Sequence, residues 1–192
     1  MRKSKGHYQE AVASLGSDQQ QAYVSFQKAV KLNPENKEAH YGLGHVYSMQ
    51  GKFKHAEEEF REAIRIDSDY SEAHTYLGQV LVSQERWKEA IASFRHALSN
   101  PIYATPDLAR FHLGRALLHE GDPSGAVEVL EDALTVIPPN VPPARVQLEL
   151  GRAYHQLGLE GRAREALSKA STLDKGGEYA TAANDLLARI KP

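Results

Sequence analysis

The sequence predicts an all-α fold that is built from repeated pairs of antiparallel helices. A Leu-Gly pair recurs along the chain, and its glycines are 34 to 37 residues apart. Each glycine is followed by alanine after 12 and 19 residues, and by phenylalanine or leucine after 16 residues. Self-similarity at such a period is the signature of a repeat protein. The four glycines are Gly44, Gly78, Gly114 and Gly151.

The small residues of this pattern have a physical explanation. Glycine and alanine allow two helix backbones to approach closely where they cross, and larger apolar residues fill the space around the crossing. The order Leu-Gly-x2-Tyr, then Ala-x3-Phe, Ala and Pro resembles the tetratricopeptide repeat (TPR) family. The resemblance implies a right-handed TPR superhelix of about five antiparallel helix pairs and a C-terminal capping helix. It also implies a protein that binds other proteins.

The repeat divides residues 1–192 into a single array. Its first repeat is degenerate, and we expect the first helix there to use Tyr8, Val12 and Leu15 as its apolar face. The last segment is an amphipathic helix that covers the open face of the final unit, as repeat arrays require. The degenerate repeat is 4–36, the TPR units are 37–70, 71–104, 107–140 and 144–177, and the capping helix is 178–190.

Glycine and proline predict where helices end and begin. Gly51, Gly121 and Gly158 lie at the turn inside three units, where glycine readily adopts the positive φ of a helix C-cap. Glu85 takes this place in the unit 71–104. Prolines at two lengthened junctions stop one helix and start the next. These junctions contain Thr105-Pro106 and Val141-Pro142-Pro143.

The composition excludes several classes of function. The chain has 192 residues with 23 Lys and Arg against 25 Asp and Glu, so no basic excess favours nucleic-acid binding. Cysteine is absent, which excludes disulfides, thiolate metal sites and a cysteine nucleophile. No apolar run reaches the roughly 18 residues that are needed to span a bilayer.

The sequence carries little that is typical of an enzyme. It lacks a phosphate-binding loop, a Gly-x-Ser-x-Gly elbow and a His-Glu-x-x-His pair. His40 and His74 lie where the repeat usually has tryptophan, which predicts packing roles for both. The run Glu57-Glu58-Glu59 is predicted to form a solvated helix face. We therefore predict no enzymatic activity, no catalytic residues, no cofactor and no metal site.

The remaining candidate site is the surface of the first helix of each unit. In a stack of helix pairs these helices line the concave side. Aromatic and arginine side chains, which often anchor protein interfaces, are placed along it. We predict that this groove binds a protein or peptide partner. Its predicted residues are Tyr41, His45, Met49, Tyr76, Gln79, Phe111, His112, Arg115, His119, Arg152 and His155.

A carboxylate clamp, by which chaperone-binding TPR domains hold a peptide C-terminus, is not predicted. That clamp uses Lys, Asn, Asn, Lys and Arg at defined groove positions of three successive units. Neither register of this chain supplies that set. The first gives Tyr41, His45, Tyr76, Leu108 and His112, and the next gives Thr75, Gln79, His112, Arg145 and Glu149.

The junction at residues 100–106 carries a narrower resemblance. Its sequence Asn100-Pro-Ile-Tyr-Ala-Thr-Pro106 is similar to that of the PilF/PilW-type TPR lipoproteins of type IV pilus biogenesis, the pilotins of the outer-membrane secretin. The resemblance implies a scaffold at the periplasmic face of the outer membrane, with a lipid anchor upstream of this chain, that helps the secretin to localise and assemble. The residues that carry it are Asn100, Pro101, Tyr103 and Pro106.

A second interpretation stays open at the level of the sequence. It is a general cytoplasmic TPR adaptor that binds a peptide segment of another protein. The basic segment Met1–Lys5 is not followed by the apolar stretch of a signal peptide. The sequence therefore does not choose between the two locations. It also leaves open whether the groove or the 100–106 corner contacts the partner.

Overall fold

The structure is a computed structural model that describes residues 2–190, and within them it contains eleven α-helices and no strand. This confirms the predicted all-α fold class. The short connections between consecutive helices favour antiparallel packing. The helices are α1 Arg2–Ser14, α2 Gln19–Leu32, α3 Lys37–Met49, α4 Phe53–Ile66, α5 Ser71–Ser83, α6 Trp87–Ser99, α7 Pro106–His119, α8 Pro123–Ala133, α9 Pro143–Gln156, α10 Glu160–Leu173 and α11 Glu178–Arg189.

The chain forms two compact units, Met1–Asn100 with α1–α6 and Pro101–Pro192 with α7–α11. In the first unit each helix packs on the next, and α3 also contacts α1 and α5. In the second unit α9 contacts α7, α8, α10 and α11. Each unit therefore has two layers, of which one consists of the first helices of the repeats. No described helix is long and apolar enough to cross a membrane.

The glycines of the Leu-Gly pairs lie where the two helices of a unit cross. A Cβ atom added at Gly44 would lie 2.9 Å from the Phe60 ring, and one at Gly78 would lie 2.5 Å from Phe94. In the second unit a Cβ at Gly114 would lie 2.5 Å from Leu130. Side-chain carbon atoms do not approach this closely, so the crossings require glycine. The predicted reason for the pattern is confirmed.

The helix ends also follow the prediction. Gly51, Gly121 and Gly158 have φ values of 70°, 80° and 71° at the turn inside their units. Glu85 has a φ of 60° at the corresponding turn, although its Cβ atom makes this conformation costly. Helices α7 and α9 begin at Pro106 and Pro143, so both junction prolines occupy the first helical turn.

Two expectations about burial need correction, and one is confirmed. Val12 is 48% exposed, because Ala11 and not Val12 faces the core from α1. Glu57 is only 6% exposed, so the glutamate run is not entirely a solvated face. His40 and His74 are buried, which confirms their packing roles.

The buried Glu57 carboxylate is held by arginine and glutamine side chains of its own and the following helix pair. Arg86 Nη1 donates to both carboxylate oxygens at 2.7 Å, and Gln84 Nε2 donates at 2.9 Å. Arg61, one turn further along α4, forms an ion pair at 2.6 Å. Burial alone would raise the pKa of Glu57, but these partners outweigh it and lower the pKa. The network links α4 to the turn between α5 and α6.

A second buried carboxylate fixes the α8–α9 connection in the second unit. Asp107, at the start of α7, is 1% exposed. It accepts hydrogen bonds from the backbone N–H groups of Asn140 and Val141 at 2.6 and 3.0 Å, and from Asn140 Nδ2 at 2.9 Å. Because this connection has no regular secondary structure of its own, the carboxylate supplies the partners that its backbone donors need.

Helix α11 packs against α9 and α10. Ala180, Ala183 and Ile190 are buried along it, while Leu186 and Leu187 are half-buried. The Ile190 carbonyl accepts a hydrogen bond from Arg164 Nη1 of α10 at 2.9 Å. The helix therefore lies against the last helix pair through both apolar and polar contacts.

Candidate functional site

The first unit brings together three of the predicted groove residues on the face of α3 and α5. The Tyr41 and Tyr76 ring centroids are 5.6 Å apart, and the His45 and Tyr76 centroids are 5.0 Å apart. Tyr41 also lies 5.3 Å from Tyr70 and 5.9 Å from Phe60. We refer to these five side chains as the ring cluster. Aromatic pairs at such distances attract each other beyond their buried area, which fixes the geometry of the cluster.

The local sequence explains how the ring cluster forms. Tyr41 and His45 are four residues apart on α3, so their side chains lie on the same face. Tyr76 comes from the neighbouring α5, which packs against α3. Tyr70 is the residue just before α5. It was missed in the sequence because the groove positions were counted within helices only.

His45 is a neutral member of this cluster. Burial lowers the pKa of His45, so its ring carries no charge at neutral pH. Its Nδ1 atom is buried and has no hydrogen-bond partner within the described residues. Met49 is 47% exposed at the end of α3, and Gln79 is half-buried on α5. Neither of these two takes part in the ring contacts.

A pocket opens beside the ring cluster, between α1 and α3. Its volume is about 250 Å³. Tyr8, Tyr41, Glu38 and His45 supply its aromatic and polar atoms. We refer to it as the Tyr8 pocket. Its apolar lining consists of Val12, Leu15, Phe26 and Gly42.

The second unit presents a different chemistry on α7 and α9. Arg152 Nη1 donates to Glu149 at 2.8 Å, and Arg115 Nε lies 3.8 Å from the same carboxylate oxygen. Arg145 lies over the Phe111 ring, with its guanidinium carbon 4.6 Å from the ring centroid. We refer to Arg115, Arg145 and Arg152 as the arginine face. Two of these guanidinium groups share one carboxylate and the third lies over an aromatic ring, so the face has excess positive charge.

Two predicted groove residues of the second unit are not available to a partner as expected. Phe111 is fully buried, because the chain packs around it and Arg145 and Arg115 cover its ring. His112 is half-buried, and burial together with the charges of these two arginines lowers its pKa to about 3. The predicted aromatic row therefore does not extend to Phe111.

The two outer histidines of the prediction are exposed in the second unit. His119 Nδ1 lies 3.7 Å from Glu120, at the end of α7. His155 Nδ1 lies 3.0 Å from Glu160, across the turn between α9 and α10. Each of these histidines thus lies near a glutamate that is close in sequence. Neither belongs to a group of three or more potential metal ligands within residues 2–190.

The residues of the 100–106 corner have separate environments. Asn100 ends the first unit, where its Nδ2 donates to the Asp69 carbonyl at 3.2 Å. Tyr103 is buried in the second unit, Pro101 is exposed, and Pro106 is the first residue of α7. Asn100 and Tyr103 therefore have structural roles within their own units.

Comparison with protein families identifies repeats along most of the chain. Models described as TPR repeat or tetratricopeptide repeat match residues 16–51, 38–70, 77–142 and 144–176. These segments contain all four Leu-Gly pairs. No curated protein sequence matches the chain significantly.

Solved structures of TPR proteins share the fold. The Pseudomonas aeruginosa PilF structure is 22% identical, with a TM-score of 0.78 over 98% of this chain and 89% of the other. PilW, described as a widely conserved type IV pilus biogenesis factor, is 26% identical, with a TM-score of 0.78 over 97% and 91%. YrrB, described as a TPR protein with an unusual peptide-binding site, is 24% identical, with a TM-score of 0.75 over 93% and 90%.

Proposed function

Because the chain is a tetratricopeptide repeat protein that resembles PilF and PilW, we propose that it is a pilotin-like scaffold for the outer-membrane secretin of type IV pilus biogenesis. In this role it binds a segment of the secretin and promotes its localisation and assembly. The proposal places the protein at the periplasmic face of the outer membrane. The repeats themselves indicate a protein-interaction scaffold, and the proposal adds the identity of the partner.

One observation carries the proposal: the likeness to PilW extends over nearly the whole of both chains. The stretch Asn100–Pro106 adds a local sequence similarity to the same family.

The ring cluster and the arginine face could both bind a polypeptide segment, and they offer different chemistry. The ring cluster presents aromatic side chains, and the arginine face presents guanidinium groups that pair well with carboxylates. We propose that the arginine face binds an acidic stretch of the partner. Arg115 and Arg145 carry this contact, since Arg152 is held by Glu149 at 2.8 Å.

The test is capture of the secretin from detergent-solubilised envelopes of the organism that encodes the chain. The immobilised wild-type protein is expected to retain the secretin, identified by mass spectrometry. The variant Arg115→Gln/Arg145→Gln should retain several-fold less, because two charge-assisted contacts are lost. Arg152 is left in place so that the buried Glu149 keeps its partner.

A matched control removes two exposed cations elsewhere. Arg95→Gln/Lys175→Gln changes the net charge by the same amount at sites that make no ion pair in the described residues. It should retain the secretin as the wild type does. Equal loss in both double variants would assign the effect to net charge and contradict a role of the arginine face.

The alternative is a general adaptor that binds a peptide segment of another protein in the cytoplasm. The likeness to YrrB, a TPR protein described by its peptide-binding site, favours this second candidate. Retention of soluble cytoplasmic proteins alone, with no secretin, would contradict the pilotin-like function and favour the adaptor.

A further inference from the structure

The Tyr8 pocket exists because one unit lacks a side chain at a groove position. Gly42 occupies the position that holds Tyr76, His112 and Glu149 in the following units. The Phe26 ring fills the space that a Cβ atom at Gly42 would need. With no side chain above this ring, a cavity of about 250 Å³ remains between α1 and α3. It is too small for a typical drug-sized ligand and suits a single amino-acid side chain.

The walls of this pocket favour a positive charge. Glu38 lines it and makes no ion pair with any described residue. Burial raises the pKa of Tyr8, and the charge of Glu38, which lines the same pocket, raises it further. Glu72, on the adjacent α5, likewise makes no ion pair, and partial burial together with the charges of Glu72 and Glu38 raises the pKa of Tyr70.

The nearby side chains do not oppose a cation. His45 is kept neutral by burial, so it adds no positive charge to the pocket wall. Lys37 lies over the Tyr70 ring and forms its ion pair with Asp67 at 2.5 Å, although Glu38 and Glu72 also contribute to its raised pKa. The rings of Tyr8 and Tyr41 supply aromatic faces, which attract guanidinium and ammonium groups.

We propose that the Tyr8 pocket is a specificity site that receives one arginine or lysine side chain of the partner segment. The alkyl stem of that side chain lies against Val12, Leu15 and Phe26, and its charged head reaches Glu38 between the tyrosine rings. This inference rests on the proposed function in one respect, namely that the partner is a polypeptide. It goes further by naming the residue type that the first unit selects.

The test is an NMR titration of the full chain with two blocked heptapeptides. One has arginine at its centre and alanine elsewhere, and the other has citrulline in place of the arginine. Citrulline has the same shape without the charge. We expect the arginine peptide to shift the signals of Tyr8, Tyr41 and His45, with an affinity roughly tenfold higher than that of the citrulline peptide.

Two variants separate the pocket from general charge effects. Glu38→Gln should reduce the affinity for the arginine peptide by roughly fivefold and leave the citrulline peptide unaffected. Glu58→Gln removes the same charge from the exposed face of α4, where Glu58 makes no ion pair, and should change neither affinity.

Three results would overturn the inference. They are equal affinity for the two peptides, shifts that lie outside the Tyr8 pocket, or equal losses in Glu38→Gln and Glu58→Gln. The outcome is independent of the secretin experiment. Secretin capture without arginine binding would contradict the pocket alone, whereas selective arginine binding without secretin capture would support the pocket and contradict the pilotin-like function.

Discussion

At the residue scale, Glu85 is in a conformation that glycine adopts without strain. Its φ of 60° lies in the left-handed region, where a Cβ atom costs energy. We expect Glu85→Gly to stabilise the protein by about 0.5–1 kcal/mol, since relief of strain outweighs the larger entropy of the unfolded glycine. Urea unfolding measures the change.

The control for this substitution keeps the Cβ atom. Glu85→Ala removes the carboxylate but leaves the strain, so no comparable gain is expected. If Glu85→Ala stabilised as much as Glu85→Gly, removal of the negative charge and not the backbone conformation would be the cause.

Some residues of the candidate site were predictable from sequence, and others were not. Tyr41, His45 and Tyr76 follow from helical spacing and do come together. The burial of Phe111 did not follow, because the same spacing cannot show that Arg115 and Arg145 fold over its ring.

At the scale of elements, the carboxylate of Glu57 connects α4 with the turn between α5 and α6. Its pKa is lowered in the folded state, so its contribution to stability is present above the ordinary value of 4.5 and is lost as the pH falls through the lower folded value. We expect Glu57→Gln to cost about 1–2 kcal/mol at neutral pH, because Arg86 keeps its second partner Glu89.

This cost should shrink as the pH falls below 4.5, because the carboxylate is protonated first in the unfolded chain, and it should disappear below the lower folded pKa. Thermal unfolding from about pH 7 to pH 3 measures the difference between wild type and variant. The neighbouring Glu58→Gln is the reference for general charge effects. A Glu57→Gln cost that stays constant over this range would show that packing, and not the ionised carboxylate, stabilises the network.

The boundaries of the elements were easier to predict than this network. Glycine at positive φ and proline in the first turn act within a few residues, so the sequence shows them directly. Glu57 stands in a run of three glutamates, and nothing in that run indicates that Arg86 approaches it from the next unit of the repeat. Long-range pairs of this kind depend on how successive helix pairs pack.

At the scale of the whole molecule, the repeats of such arrays interact mainly with their nearest neighbours, so we expect damage to stay local. Asp107 stabilises the α8–α9 connection, because its carboxylate accepts hydrogen bonds from two backbone N–H groups there. We expect Asp107→Asn to cost about 2–4 kcal/mol, because an amide group in its place leaves buried donors unsatisfied. Hydrogen exchange should accelerate in α7–α9 and remain unchanged in α1–α3.

The exposed Asp185→Asn on α11 is the matched control and should alter exchange nowhere beyond its own turn. Acceleration of exchange throughout α1–α11 by Asp107→Asn would indicate that the array unfolds as a single cooperative unit. Such a result would contradict nearest-neighbour behaviour.

The crossing glycines have a consequence for how this chain can change over generations. At each crossing the large side chain of one helix fills the space that a side chain on the glycine of the other helix would need, as with Phe94 and Gly78. The two positions therefore cannot be substituted independently. A larger residue at position 78 is tolerated only after a smaller side chain has replaced Phe94. We therefore expect the glycine and the large residue 16 positions after it to covary, so that substitutions at the two positions appear together and compensate each other.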